Sequence, residues 1–288
     1  MDWKGKVCII TGATSGIGIH TAMAMAERGM TLVLPVRNMK KGKDLKHKIQ
    51  EKTGNEQVEL YACDLASMES VRQFAADFLK NHHHLHLLIN NAGTWETRRR
   101  ESEDGIELTF AVNHLSHFLL TNLLLGVMKQ STPARIVNVS SMAHRAARMN
   151  FDDPEGKKRW NSIWAYAQSK LANILFTRKL ARMLQGTGIT VNALHPGGVN
   201  TRLYAKMPAF TRPFMQLFLD APKKGARTNI YLALSPEVEG VSGKYFARRK
   251  EKKPSAHARS DVAADKLWNI SCEYTGLSHK KTAYGKAG

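Results

Sequence analysis

The chain has 288 residues, 43 % of them hydrophobic and 23 % charged, a balance that buries a core of useful size and excludes both a disordered tail and a disulfide-stapled mini-protein. A single α/β domain accommodates this length. Lysines and arginines number 43 against 24 acidic residues, a net charge of +19, so the field around the chain draws anions: nucleotides, nucleic acid and acidic membranes all qualify.

Met1-Asp2-Trp3-Lys4-Gly5 runs at once into the apolar stretch Val7–Ile10, which predicts a strand and leaves no room for a signal peptide. A glycine-rich turn, residues 11–18, leads into the helix-period stretch Ile17–Arg28, closed by Gly29 where a helix C-cap belongs. The alternation then repeats: strand Thr31–Val36, helix Lys40–Lys52, strand Val58–Ala62, helix Met68–Leu79, strand Leu85–Ile89, helix Gly105–Met128, strand Arg135–Val139. A long helix at Ile163–Leu184 precedes strand Ile189–Leu194, and a helix at Lys223–Leu234 precedes a short strand at Lys244–Phe246. Such alternation predicts a doubly wound, Rossmann-type parallel sheet covered by helices on both faces, in one domain over 1–277 with a flexible basic tail at 278–288. Thr201–Asp220 breaks the rhythm and reads as a cover over a site. Leu108–Met128 is long enough to span a bilayer, but Asn113, His114, Ser116, His117, Thr121 and Asn122 interrupt it, so a buried helix is expected and no transmembrane segment.

Cys8, Cys63 and Cys272 are scattered and odd in number. They suggest no disulfide framework and no zinc site, and fit a reducing, cytoplasmic compartment. His82, His83, His84 and His86 lie at the entry to a strand, where consecutive side chains point apart, so no metal is expected there.

The turn Thr11-Gly12-Ala13-Thr14-Ser15-Gly16-Ile17-Gly18 joins the first strand to the first helix. At that junction a phosphate meets unpaired backbone N–H groups and the positive helix end, and glycines at 12, 16 and 18 let the backbone approach a pyrophosphate. A dinucleotide site is the direct reading, although the spacing is not the usual G-x-G-x-x-G. The second strand ends Pro35-Val36-Arg37-Asn38 with no acidic residue for a ribose 2′-hydroxyl. Arg37 therefore points to a 2′-phosphate, hence to NADP with NADPH preferred over NADH; the other reading is a solvated arginine beside Lys40, Lys41 and Lys43.

Together with that loop, Asn90-Asn91-Ala92-Gly93, Asn113, Ser140-Ser141, Tyr166-Ala167-Gln168-Ser169-Lys170 and His195-Pro196-Gly197 make the chain resemble the short-chain dehydrogenase/reductase family from Lys6 to about Phe246. Val112–Leu120, Lys170–Phe176 and Val241–Phe246 resemble its retinol dehydrogenase-like branch, as does the long gap between Ser141 and Tyr166. Tyr166 and Lys170 are four apart on a predicted helix and share a face. An ammonium beside a phenol stabilises the phenolate and brings a group of pKa about 10 towards working pH.

The resemblance implies Tyr166 as general acid in carbonyl reduction and Ser141 as hydrogen-bond donor to the substrate oxygen. It implies Lys170 as holder of the nicotinamide ribose and Asn113 as positioner of a relay water, unless Asn113 only bridges within its helix. It further implies Asp64 and Leu65 at the adenine, Asn91, Ala92 and Gly93 along the adenosine side, and Pro196, Gly197, Val199 and Thr201 at the nicotinamide amide. Asp64 has a second reading as a cap of the following helix, and Asn91 and Gly93 as residues of a tight turn. Pro35, Gly198 and Asn200 depart from the branch.

Tyr204, Met207, Phe210, Phe214, Met215 and Phe218 in the cover, with Trp95 and Trp164, suit an apolar carbonyl or alcohol substrate, or equally a stripe packed on the core or on a second copy. A homo-oligomer is common in the family. Residues Lys244–Gly288 carry 11 basic and 4 acidic side chains. That excess keeps open a nucleotide-sensing scaffold on a membrane or nucleic acid, though no nucleic-acid-binding motif accompanies it and such runs are usually solvated faces; no specific nucleic acid is expected, and peripheral membrane contact stays open. A reductase of a ring double bond is a further alternative.

Overall fold

The computed structural model describes residues 2–197 and 222–278. The expected cover, Val199, Thr201 and all but the first residue of the basic tail lie outside that range. Largely apolar runs form β1 (Val7–Ile10), β2 (Thr31–Val36), β3 (Val58–Ala62), β4 (Leu87–Asn90), β5 (Ala134–Val139), β6 (Ile189–His195) and β7 (Tyr245–Ala247), and the exposed pair Lys250–Glu251 forms β8. They make one eight-stranded sheet in the order β3-β2-β1-β4-β5-β6-β7-β8. The pairs from β3 to β7 are parallel and β8 is antiparallel to β7. The order reverses between β1 and β4, and the crevice at the carboxyl ends of these two strands is where such sheets take ligands.

Helices α1 (Ile17–Ala26), α2 (Met39–Thr53) and α6 (Pro222–Leu234) cover one face, and α3 (Met68–Asn81), α4 (Ser116–Lys129), α5 (Ser162–Met183) and α7 (Asp261–Thr275) the other. Strands covered on both faces are buried throughout: all six residues of β5 and all four of β4 are buried, the polar Arg135, Asn138 and Asn90 among them. The three cysteines are buried and in no disulfide. Pro35 stays in register opposite Tyr61, and Val36 opposite Ala62, so the proline does not displace the end of β2.

The structure departs from the sequence reading at one element and adds two that it did not name. The long helix does not begin at Gly105, which sits in a turn at φ +72°. Glu107 caps a short helical turn at Leu108–Phe110, a π-turn follows at Ala111–Leu115, and only then does α4 run. The 108–129 stretch is long and apolar enough to cross a membrane, yet 78 % of its most apolar window is buried inside the fold. Second, the chain after Phe246 holds an ordered helix, α7, whose buried residues recur at 264, 267, 268, 271, 272 and 275. Trp268 enters the core between Phe118 (ring centroids 4.9 Å) and Phe176 (6.0 Å).

Third, β7 turns back on itself. Arg248 and Arg249 form the two-residue connection to β8, both with positive φ, 52° and 61°. Left-handed backbone costs a side-chain-bearing residue about 1 kcal/mol. Asn-Gly is the usual occupant of such a hairpin turn.

Candidate active site

A cleft of about 690 Å³ opens at the carboxyl ends of β1, β2, β4, β5 and β6. Its floor is a latch between two loops. The Thr11 hydroxyl oxygen accepts hydrogen bonds from the N–H groups of Asn91 (2.9 Å) and Ala92 (3.0 Å), and the Asn91 side-chain amide donates to the Thr11 carbonyl (2.9 Å). Gly12 has φ +66°, and a Cβ there would lie 2.8 Å from the Ala92 Cα. A Cβ on Gly18 would run into the Gly12 carbonyl. These glycines let the two loops and α1 close on one another.

Helix α1 starts at Gly16 with no side-chain cap and no acidic residue in its first turn. Its first N–H groups and positive end therefore face the cleft beside Thr14, Ser15 and Ile17, a cradle for a phosphate.

Arg37, Asn38, Lys41, Asp64 and Leu65 line the far end of the cleft. The Arg37 side chain is 78 % exposed and meets Asp64 at 4.0 Å, a weak contact that leaves the guanidinium available to an anion. Asp64 does not cap α3: Ser67 does, while Asp64 accepts from the Ala66 N–H at 3.0 Å. Asn90 turns into the core, where its amide bridges Thr121 (3.0 Å) and Asn138 (2.8 Å).

At the other end, α5 carries Tyr166 and Lys170 on one face. Lys170 is buried, its ammonium donates to the Val139 carbonyl at 3.2 Å, and it lies 5.6 Å from the Tyr166 ring centroid. Desolvation pushes Lys170 down to about 8. Trp95 stacks on Tyr166 (5.3 Å, 25° between planes) and is anchored by its indole N–H on the Ser162 hydroxyl at 2.7 Å. Sequence reading placed Trp95 only in the lining; it serves as a platform for the phenol.

Asn113 sits in the π-turn, an irregularity that recurs at functional sites. Its side-chain oxygen accepts from the Thr94 N–H (2.7 Å), and its amide donates to the Thr94 carbonyl (2.9 Å) and the Ser169 hydroxyl (2.9 Å). Ser169 in turn donates to the Tyr166 carbonyl at 2.8 Å. A Cβ on Gly93 would stand 3.3 Å from both the Asn113 oxygen and the Lys170 ammonium, so only glycine leaves that space to a ligand.

The structure separates the two adjacent serines. Ser140 is buried and donates to the Lys170 carbonyl at 2.7 Å. Ser141 lines the cleft and accepts only a longer bond, 3.2 Å, from the Ala143 N–H. His144, which sequence reading missed, takes the Ser255 N–H on Nε2 at 3.2 Å and so carries its own proton on Nδ1, which it donates to the Ser141 carbonyl at 2.6 Å. Buried rings of this kind carry no periodic signal in a sequence.

His195, Pro196 and Gly197 close the wall. Burial, joined by the nearby Arg248 charge, pushes His195 down to about 4. Elsewhere, His82 Nε2 lies 3.0 Å from Glu59 and His86 accepts from the Val7 N–H at 3.2 Å. Among the described residues no three metal-ligating side chains converge.

A family profile described as short chain dehydrogenase matches residues 6–211. Retinol dehydrogenase 11 of Mus musculus is 43 % identical over 275 residues, 95 % of this chain and 87 % of its own length. Retinol dehydrogenase 12 of Bos taurus is 44 % identical over the same shares. Among solved structures, an uncharacterised protein from Mycobacterium paratuberculosis superposes with a TM-score of 0.78 at 33 % identity, over 96 % of this chain and 95 % of that one. A short chain dehydrogenase from Shigella flexneri complexed with NADP gives 0.70 at 25 % identity, over 86 % and 99 %.

Proposed function

The chain belongs to the short-chain dehydrogenase/reductase family, in its retinol dehydrogenase-like branch, and on that premise we propose that it is an NADPH-dependent oxidoreductase. It interconverts a bulky apolar ketone or aldehyde and the corresponding alcohol, with Tyr166 as general acid or base. The observation that carries the proposal is the placement of Tyr166, Lys170 and Ser141 in the wall at one end of a cleft, with Asn113 buried behind Gly93, while the other end is an uncapped helix start beside Arg37.

NADPH would lie with its pyrophosphate on the Gly12–Gly18 loop, its 2′-phosphate against Arg37 and Lys41, and its nicotinamide end towards Lys170 and Pro196-Gly197. When bound it supplies the hydride. The protein does the rest. Ser141 donates a hydrogen bond to the substrate oxygen, and the Tyr166 phenol passes its proton to that oxygen in reduction or takes it back in oxidation. The Lys170 ammonium stabilises the phenolate left behind, while Trp95 and the Asn113–Ser169 bonds hold the tyrosine in place.

The similarity to retinol dehydrogenases puts retinoids first among candidate substrates. A cytoplasmic setting is part of the proposal, supported by three buried cysteines that form no disulfide.

The test is consumption of NADPH and of NADH against retinoid, steroid, quinone and aromatic carbonyl compounds, with Tyr166→Phe as control. Turnover with NADPH that falls about 100-fold or more in the variant, while NADPH still binds, is the expected result. Turnover unchanged by Tyr166→Phe removes the proposed acid.

A further inference from the structure

His117 is buried at the start of α4, one turn beyond Asn113, and the reaction proposed above gives it no role. Its ring is bonded at both nitrogens. Nε2 stands 2.9 Å from the Thr11 hydroxyl and Nδ1 3.2 Å from the Asn113 carbonyl. Thr11 is the centre of the latch under the cofactor loop, and Asn113 belongs to the π-turn behind Lys170. One imidazole therefore spans the two parts of the site.

The partners fix where the ring carries its proton. A carbonyl only accepts, so Nδ1 bears the hydrogen and donates it to Asn113, which leaves Nε2 bare to accept from Thr11. The Thr11 hydroxyl agrees with this assignment. Its oxygen already takes the Asn91 and Ala92 N–H groups at 2.9 and 3.0 Å, so its own proton is what it has left to give. His117 is nearer to it than the Ile89 carbonyl, which lies at 3.4 Å. A proton on Nε2 would meet an oxygen with both lone pairs engaged, and the geometry thus holds the ring neutral and in one tautomer. Burial acts in the same direction, pushing the ring down to about 4, with the Asn113 bond opposing and the Lys170 charge assisting.

Packing alone does not call for a histidine here. A leucine or phenylalanine would fill buried space with no polar atom to satisfy. The imidazole instead continues a line of hydrogen bonds from the Ala92 N–H through Thr11 and the ring to the Asn113 carbonyl. From there the Asn113 side chain holds Thr94 and Ser169, and Ser169 holds the Tyr166 carbonyl.

We propose that His117 is a positioning residue that fixes the cofactor cradle and the Asn113 turn relative to each other, so that hydride and proton arrive at one carbonyl group. The proposal rests on the roles of NADPH and Tyr166 given above. His117 itself touches neither cofactor nor substrate and transfers no proton.

Two amides divide the ring's two bonds. In His117→Asn a side-chain N–H stands near the Nδ1 position and serves Asn113, with no acceptor for Thr11. In His117→Gln a side-chain oxygen stands near the Nε2 position and serves Thr11, with no donor for Asn113. Amide hydrogen exchange reads the two ends separately, because the Ala92 N–H bonds Thr11 and the Thr94 N–H bonds the Asn113 side chain. His117→Asn should speed exchange at Asn91 and Ala92 about tenfold, as for one lost hydrogen bond, and weaken NADPH binding by a similar factor with a smaller fall in kcat. His117→Gln should instead speed exchange at Thr94 and lower kcat at saturating NADPH about tenfold, with NADPH affinity held within about twofold. Nitrogen NMR of the parent should show the His117 ring protonated on Nδ1 and bare on Nε2 at neutral pH, assigned by the signal that both variants lose.

A parent ring that is charged at neutral pH, or protonated on Nε2, overturns the proposal whether or not the variants fold. Equal loss at both exchange reporters in both variants, in step with the melting temperature, also overturns it, since a residue needed only for folding would behave that way. Tautomer and exchange are read without cofactor or substrate. A chain that shows the split between the variants yet turns over no carbonyl would support the tie and contradict only the proposed reaction.

Discussion

Lys170 is held in a place that costs the fold stability. Its ammonium is buried against the Val139 carbonyl, and desolvation pushes it down from 10.5 to about 8. Below about pH 8 both the folded and the unfolded chain carry the proton, and the folded state bears the full cost of the buried charge. Between about 8 and 10.5 the unfolded chain keeps the proton while the folded chain releases it, so the contribution of this position to stability rises with pH. Lys170→Met should therefore be more stable than the parent at pH 7, by on the order of 3 kcal/mol. The gain should shrink as the pH is raised across that window, and carbonyl turnover should be lost. Val139 keeps a partner in the variant, since the Asn173 amide donates to it at 3.1 Å. Denaturant unfolding of both proteins at several pH values gives the comparison directly. The spacing of Tyr166 and Lys170 was legible in the sequence because a helix puts residues four apart on one face. The Val139 anchor was not, because it depends on how α5 lies across β5, 31 residues away.

At the scale of elements, the strand and helix alternation was legible as far as β7 because strands buried on both faces are short, mostly apolar runs set between helix-period stretches. Helix α7 escaped for a specific reason. Its buried stripe has a helical period, but two of its six positions are Ser271 and Thr275, polar residues that satisfy themselves inside. The Ser271 hydroxyl pairs with His114 Nε2 at 2.8 Å, and Thr275 donates to the Ser271 carbonyl at 2.6 Å. The first of these bonds shoulders the π-turn that carries Asn113. Trp268→Ala should cost about 3 kcal/mol or more by opening a cavity between Phe118 and Phe176. It should also loosen the Asn113 turn, so that hydrogen exchange at Thr94 rises together with the fall in thermal midpoint. The late start of α4 was hidden because Glu107, the cap, owes its position to Glu155, which accepts from the Glu107 N–H at 3.0 Å across 48 residues.

For the whole molecule, the excess of 19 positive charges was plain from composition, but where it gathers was not. Part of it stands at the adenosine end of the cleft, in Arg37 and Lys41. NADPH affinity, followed by calorimetry, should fall about tenfold from low to moderately high salt. Arg37→Ala with Lys41→Ala should flatten that dependence and bring NADPH and NADH affinities together. The latch beneath the cofactor cradle has a consequence for how the chain comes to function. Thr11 and its partners Asn91 and Ala92 stand 80 and 81 residues apart, and β1 meets β4 only after β2 and β3 have been made between them. No fragment that ends before β4 can latch the cradle, because Asn91 and Ala92 are missing from it, and closing so long a loop belongs late in assembly. A dinucleotide thus recognises only a chain whose sheet is already joined at its centre, and its binding draws the folding equilibrium forward at the last step rather than the first.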